Sequence, residues 1–510
     1  MYLMSCVEAF VDLIASVTDT KEGMFVKHRH RWLAWALPVL LVPLKGFATP
    51  FPVDPSTAIG RIVSEMKENE WARLNTTTFD SVWTPESLIP SRPDTFFKGS
   101  PRSVIQAWSS MAWDSTRGDL VFFGGGHANY TGNDVYRWRG STLEWERASL
   151  PSAIELISGA TYRSVDGENS APIGAHTYDN SEFLPNADRF VSFGGAAFND
   201  GKPWSIQHAD GTSERTGPYF WDPSRADASK VGGVDGSGVD PTTLGGGMWE
   251  NRGNLIPTGG GAHPGDFFAG FVNGTTALSY DPSLTADVLY VADIGDLWRY
   301  TVTDVNDPAA DVYERLGRTW DPISGQGAGA FDYLDNIFLR TANGVFSFWD
   351  LDLDPNGIVR NQLFLPVDAS GTFDFSRLTD YGMDYDPIRD RFLLWLGDGL
   401  VWELSVPANP QLDDWVVQEI VPEGLLMPDS TALVSGTKGI LGKWKYIPGL
   451  DIFLGVEDST RGDIWAYKPT GWDPDIRPRA LPGVDVLAPV WLMLPLFGWL
   501  ISRAGRRMVC

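Results

Sequence analysis

Histidine is scarce in this chain and unevenly placed. Of six histidines, His28 and His30 sit in a basic N-terminal stretch, while His127, His176, His208 and His263 share one half of the remaining sequence. A neutral imidazole is a general base near pH 7. With Tyr130 or Tyr178 as proton donor and Arg252 or Arg102 to neutralise a carboxylate, the set becomes a kit for β-elimination at a uronic acid. The catalytic candidates are therefore His127, His176, His263, Tyr130, Tyr178 and Arg252. Two or three of the same imidazoles could instead hold a divalent metal, helped by Asp266 or Tyr130. In a third reading each histidine only hydrogen-bonds loop backbone. Asn129, Trp249, Glu250 and Asp266 are the candidate ligand contacts. Trp249 is placed either to stack on a sugar or to cover a sheet edge. The run Gly259 to Gly261 lacks the Lys-Ser/Thr ending of a phosphate loop.

A repeated phrase must position these residues. It runs through small and aromatic residues, an Asp turn, an apolar strand, often Gly-Gly, and a second aromatic strand. The clearest copy spans Ala107 to Gly126 and continues through Asn133 to Trp138 and Leu143 to Arg147. Further copies open at Ala175–Asp179, Ala277–Asp281, Gly329–Asp332, Gly382–Asp386 and Lys443–Tyr446. Val, Ile, Phe, Tyr and Trp suit strands, and Asp-Pro, Gly-Asp and Asn-Gly suit the turns between them. Short strands in units spaced roughly 50–65 residues apart, with one gap of about 100 after the second, predict a β-propeller. The count is six blades, or seven if Ser229 to Arg252 holds another partial blade. Glu70 to Leu74 resembles the fourth-strand phrase of the first copy, so this N-terminal strand is expected to complete the last blade and close the ring.

In such a ring, loops joining strands two and three open on the same face as connections between blades. His127 and His208 fall in loops of the first kind and His263 in a connection, while His176 is expected within the first strand of blade two, near the central channel. Asp384 and Lys445 occupy matching first-strand positions in blades five and six and could pair near that channel.

Over Ala58 to Pro469 the chain resembles the kelch and galactose-oxidase type of propeller. The likeness rests on the aromatic-Asp turns, on Phe123 to Gly126, on Phe193 to Gly195, and on a Trp near each fourth strand. Galactose oxidases build a copper-radical cofactor on a tyrosine joined to a cysteine. Cys6 and Cys510 are the only cysteines, so the propeller cannot build it. No cofactor is expected from the resemblance, and a divalent metal remains open.

The ends of the chain suggest export. Residues 1–23 read as a mis-called start, and 24–48 as a secretory signal with a basic start, an apolar run and small residues at the cut. A Pro-rich linker at 470–485 precedes an apolar segment, 486–507, ending in Arg506 and Arg507. This tail resembles exosortase-type sorting tails, although Leu481 to Asp485 stands where Pro-Glu-Pro belongs. The resemblance implies sorting machinery as a partner, membrane contact through the tail, and a Gram-negative envelope or extracellular location. A net charge of −25 argues against nucleic acid. The expected function is a glycan- or protein-binding module. A polysaccharide lyase and a structural envelope protein are the alternatives.

Overall fold

The computed structural model describes residues 56–473, apart from 160, 208–212, 234–246, 254–273, 293–295, 319–324, 355–356 and 430–435. The described residues belong to one compact unit, 48–510. Six antiparallel sheets form its blades.

Blade one runs Ser110–Asp114, Asp119–Phe123, Tyr136–Arg139 and Glu144–Arg147 from the channel outward. Blade two follows with Ser181–Leu184, Arg189–Ser192, Tyr219–Trp221 and Trp249–Asn251. Blade three has Thr275–Leu278, Asp287–Ala292, Asp296–Val302 and Val312–Arg318, and blade four Gly329–Asp332, Ile337–Ala342, Val345–Asp350 and Gln362–Phe364. Blade five has Gly382–Asp386, Arg391–Trp395, Val401–Ser405 and Val416–Ile420. Short strands at Val359–Arg360 and Val367–Asp368 add in parallel to the outer edges of blades three and five. Innermost strands of neighbouring blades lie side by side all the way round.

Blade six is made from both ends of the described chain. Trp444–Ile447, Ile452–Glu457 and Asp463–Lys468 pair in order, and Glu70–Arg73 adds outside them, with Trp71 opposite Tyr467. The closure expected from the sequence is thus present. Trp71 is buried, its ring lies 5.2–6.4 Å from Tyr467, Trp395, Trp444 and Trp465, and its Nε1 donates to the Gly399 carbonyl at 3.1 Å.

Each third strand carries a buried Trp: Trp138, Trp221, Trp298, Trp349, Trp402 and Trp465. These wedge-filling rings are the aromatic part of the repeat, and they stand one strand inside the expected position.

Three expectations need correction. Among the described residues there is no seventh blade, and Trp249–Asn251 is the fourth strand of blade two. The first strand of blade two is Ser181–Leu184, turning through Pro185 to Asp188. Ala175 to Asp179 mimics the repeated phrase but lies ahead of it, and His176 belongs to a two-residue strand paired with Ala196–Ala197. Finally, Lys445 does not pair with Asp384. Its Nζ donates to Glu182 at 2.7 Å and to Asp179 at 3.3 Å, whereas Asp384 accepts from the Tyr446 backbone N–H at 2.7 Å.

Among the described residues no helix is long and apolar enough to cross a membrane. The signal and tail segments lie outside the described residues.

Candidate functional site

The channel is closed at one level by the chain entering blade two. Asp179 is the hub. Its carbonyl accepts from Thr276 N at 2.7 Å, its Oδ2 from Gly329 N at 2.8 Å, and its Oδ1 from Lys445 Nζ. One residue thereby ties together the entries to blades three, four and six. Tyr178 beside it donates its N–H to the Trp108 carbonyl at 2.7 Å and accepts from Gly442 N at 3.2 Å. The segment is a floor across the channel mouth.

Below that floor the groups are buried and locked. Burial pushes Glu182 up to about 8 and Asp179 up to about 6, against the pull of Lys445. Lys443 is also buried, donates to the Ser109 carbonyl at 3.0 Å and is pushed down to about 7 by burial.

Above the floor lie the groups the sequence singled out. His127 stands exposed in the turn that follows the second strand of blade one. The His127 and His176 rings meet edge to face with centroids 5.5 Å apart. His176 is buried and bonds the Asn129 side chain through Nε2 at 2.7 Å. Its ring lies 4.8 Å from Trp108 and 5.9 Å from Tyr178. Burial, then the neighbouring His127, pushes His176 down to about 3, and burial pushes the Tyr178 phenol up to about 12. Both groups are therefore neutral across the physiological range. Trp108 Nε1, the Tyr178 hydroxyl and the His127 ring make no hydrogen bond to a described residue. None of these atoms is among the sealed, unpaired atoms of the interior. They are donors and acceptors offered outward.

The backbone here is strained. Trp108, His127, Tyr178 and Leu441 all have positive φ, at 45°, 52°, 48° and 54°. His127 combines its φ with a ψ of −90°, outside the left-handed helical well. Such residues cost roughly 1–3 kcal/mol each and gather where surroundings over-determine the geometry for function. Packing supplies that constraint: a Cβ on Gly195 would lie 1.9 Å from the His176 carbonyl oxygen, and one on Gly201 2.8 Å from the His127 ring. Next to the mouth, Gly99 packs on the Asn129 backbone, and Phe96 nearby is 97% exposed.

The other sequence candidates are elsewhere. Tyr130 is fully buried and donates to Asp134 at 3.0 Å, in a network with Tyr136 and Thr84. Arg252 is buried, holds both oxygens of Asp311 at 3.0 Å, and donates to the Val305 and Asp304 carbonyls. Glu250 pairs with that guanidinium at 3.3 Å. Trp249 is buried against Phe123, Phe190 and Tyr219, so it fills the blade core instead of presenting a sugar platform. Arg102 donates to Ser459 at 2.8 Å, bridging blades one and six. His208, His263 and Asp266 lie outside the described residues. Sequence reasoning missed Trp108, since nothing distinguishes it from the strand aromatics except its place just ahead of a first strand.

No family model matches the sequence, and neither does any curated protein. Solved structures with a similar outline include an α-L-arabinofuranosidase of Fusarium graminearum with arabinobiose, at TM-score 0.39 and 10% identity, covering 78% of this chain and 98% of that one. An α-L-arabinanase of Penicillium chrysogenum gives 0.35 and 13%, with the same coverage. An auxiliary nutrient binding protein of Bacteroides thetaiotaomicron gives 0.36 and 10%, covering 78% and 75%. Likeness at this level decides neither family nor activity.

Proposed function

We propose that the protein is an exported binding module that takes a carbohydrate at the channel mouth, above the Tyr178 floor. One observation carries this reading: a half-buried Trp108 ring stands beside the bonded His176–Asn129 pair, and Trp108 Nε1, the Tyr178 hydroxyl and the His127 ring are unclaimed by described residues. An aromatic face for C–H contact, flanked by neutral donors and acceptors, matches the alternating apolar and hydroxyl surface of a sugar. His176 and Tyr178 stay uncharged, so the site favours hydroxyl-rich ligands over strongly charged ones.

The elimination reading is weaker because its arginines and one of its two proton donors are engaged elsewhere, although His127, His176 and Tyr178 stand at the mouth. Tyr130 is bonded inside the core, and Arg252 is saturated by Asp311 and two carbonyls. Asp179 and Glu182 are held on Lys445. What remains at the mouth is suited to holding a ligand, not to cleaving one. The purified chain, screened against immobilised neutral and uronic polysaccharides, should retain a neutral one. Release of unsaturated uronic products, seen by their ultraviolet absorbance, would establish the lyase instead.

A further inference from the structure

The turns on the face opposite the channel mouth repeat a polar junction between blades. At the junction of blades one and two, Asp114 Oδ1 accepts from the backbone N–H of Thr116 and Arg117, both at 3.0 Å. The Arg117 side chain then spans Asp114 at 2.9 Å and Asp188 of the next blade at 2.7 and 2.8 Å. Blades five and six repeat it. Asp386 Oδ1 accepts from Ile388 and Arg389 N–H, and the Arg389 guanidinium bridges Asp386 at 3.0 Å and Asp451 at 2.7 Å.

The junction of blades four and five has the same turn with one difference. Asp332 Oδ1 accepts from Leu334 N at 2.8 Å and Asp335 N at 3.1 Å, so Asp335 stands where Arg117 and Arg389 stand. Asp390 takes the place of Asp188 and Asp451, and all three share a positive φ, at 58°, 53° and 52°. Asp390 even accepts from the Tyr385 hydroxyl at 2.7 Å, as Asp451 does from Tyr446 at 2.9 Å. The bridging cation is missing from the sequence. Three carboxylates therefore meet, with one oxygen from each within 4.8 Å of the others. None forms an ion pair with a described Lys or Arg. Asp332 is wholly buried, the Tyr385 hydroxyl beside it is already donated to Asp390, and its Oδ2 is left without a hydrogen bond, which is costly for an ionised carboxylate.

We propose that a divalent cation, calcium, binds between Asp332, Asp335 and Asp390, in the place that an arginine guanidinium fills at the two sister junctions. The donor set is all carboxylate oxygen, which selects hard cations over zinc or copper. Calcium–oxygen distances of about 2.3–2.6 Å allow ligands up to roughly 4.6–5.2 Å apart, a limit that oxygens within 4.8 Å of one another meet. With water completing the shell, the ion pins blade four to blade five and pairs the buried oxygen.

The test uses the full chain, with calcium, magnesium and manganese titrated by calorimetry and Tm measured in chelator and in each cation. Calcium should raise Tm and give binding heat. Asp335→Asn should weaken that binding at least tenfold. Asp335→Arg, which restores the sister geometry, should abolish the response and melt in chelator no lower than the calcium-loaded wild type. Absence of heat and of a Tm shift with all three cations would overturn the proposal. So would a calcium response that survives in Asp335→Asn.

Discussion

His176 shows how burial decides what a side chain can do. An imidazole ordinarily titrates near 6.5, and this one is held down to about 3, first by burial and then by His127. Between those values the unfolded chain binds a proton that the folded protein does not. His176 therefore costs no stability above pH 6.5, and folding stability falls as pH drops from 6.5 toward 3. Two outcomes follow. The His176 ring signals should show no titration between pH 5 and 8 by NMR, and His176→Gln should be less sensitive to acid over that lower window. An imidazole that titrates near 6.5 would show that the ring is solvated and not buried. His127, exposed at the end of a strained turn, is the partner free to meet a ligand.

The blade is the scale at which the sequence was most legible. Alternating apolar residues, Asp turns and a Trp per unit located all six blades, and the likeness of Glu70–Arg73 to other fourth strands predicted how the ring closes. Trp71 tests that closure. Removing its ring from between Trp395, Trp444 and Tyr467 should cost about 3–5 kcal/mol in denaturant unfolding of Trp71→Ala. A loss below about 1 kcal/mol would mean that the N-terminal strand contributes little to blade six. Local pattern failed where a segment imitates the repeat without joining it. Ala175 to Asp179 has the right residue types, but its Tyr178 takes positive φ and its Asp179 bonds across the channel, so the real first strand begins later. For the site, the sequence could say that His127 and His176 share a face. Which way Tyr130, Arg252 and Trp249 point depends on long-range packing, which composition and spacing do not encode.

At the scale of the whole molecule, the ring is held at its axis by Asp179, Glu182 and Lys445. Lys445→Met should strand two buried carboxylates and destabilise the fold by about 3–5 kcal/mol, and Glu182→Gln in the same background should recover part of that loss. The proposed ligand rests above the Asp179 segment, beside Trp108 and His127. The most direct test is calorimetric affinity for a retained neutral polysaccharide, compared between wild type, Trp108→Ala and His127→Ala. Each variant should bind at least tenfold more weakly while keeping its Tm within about 1 °C of wild type, roughly the shift that a 1 kcal/mol loss gives a domain of this size. Unchanged affinity in both variants would place the ligand elsewhere and contradict the assignment of the channel mouth.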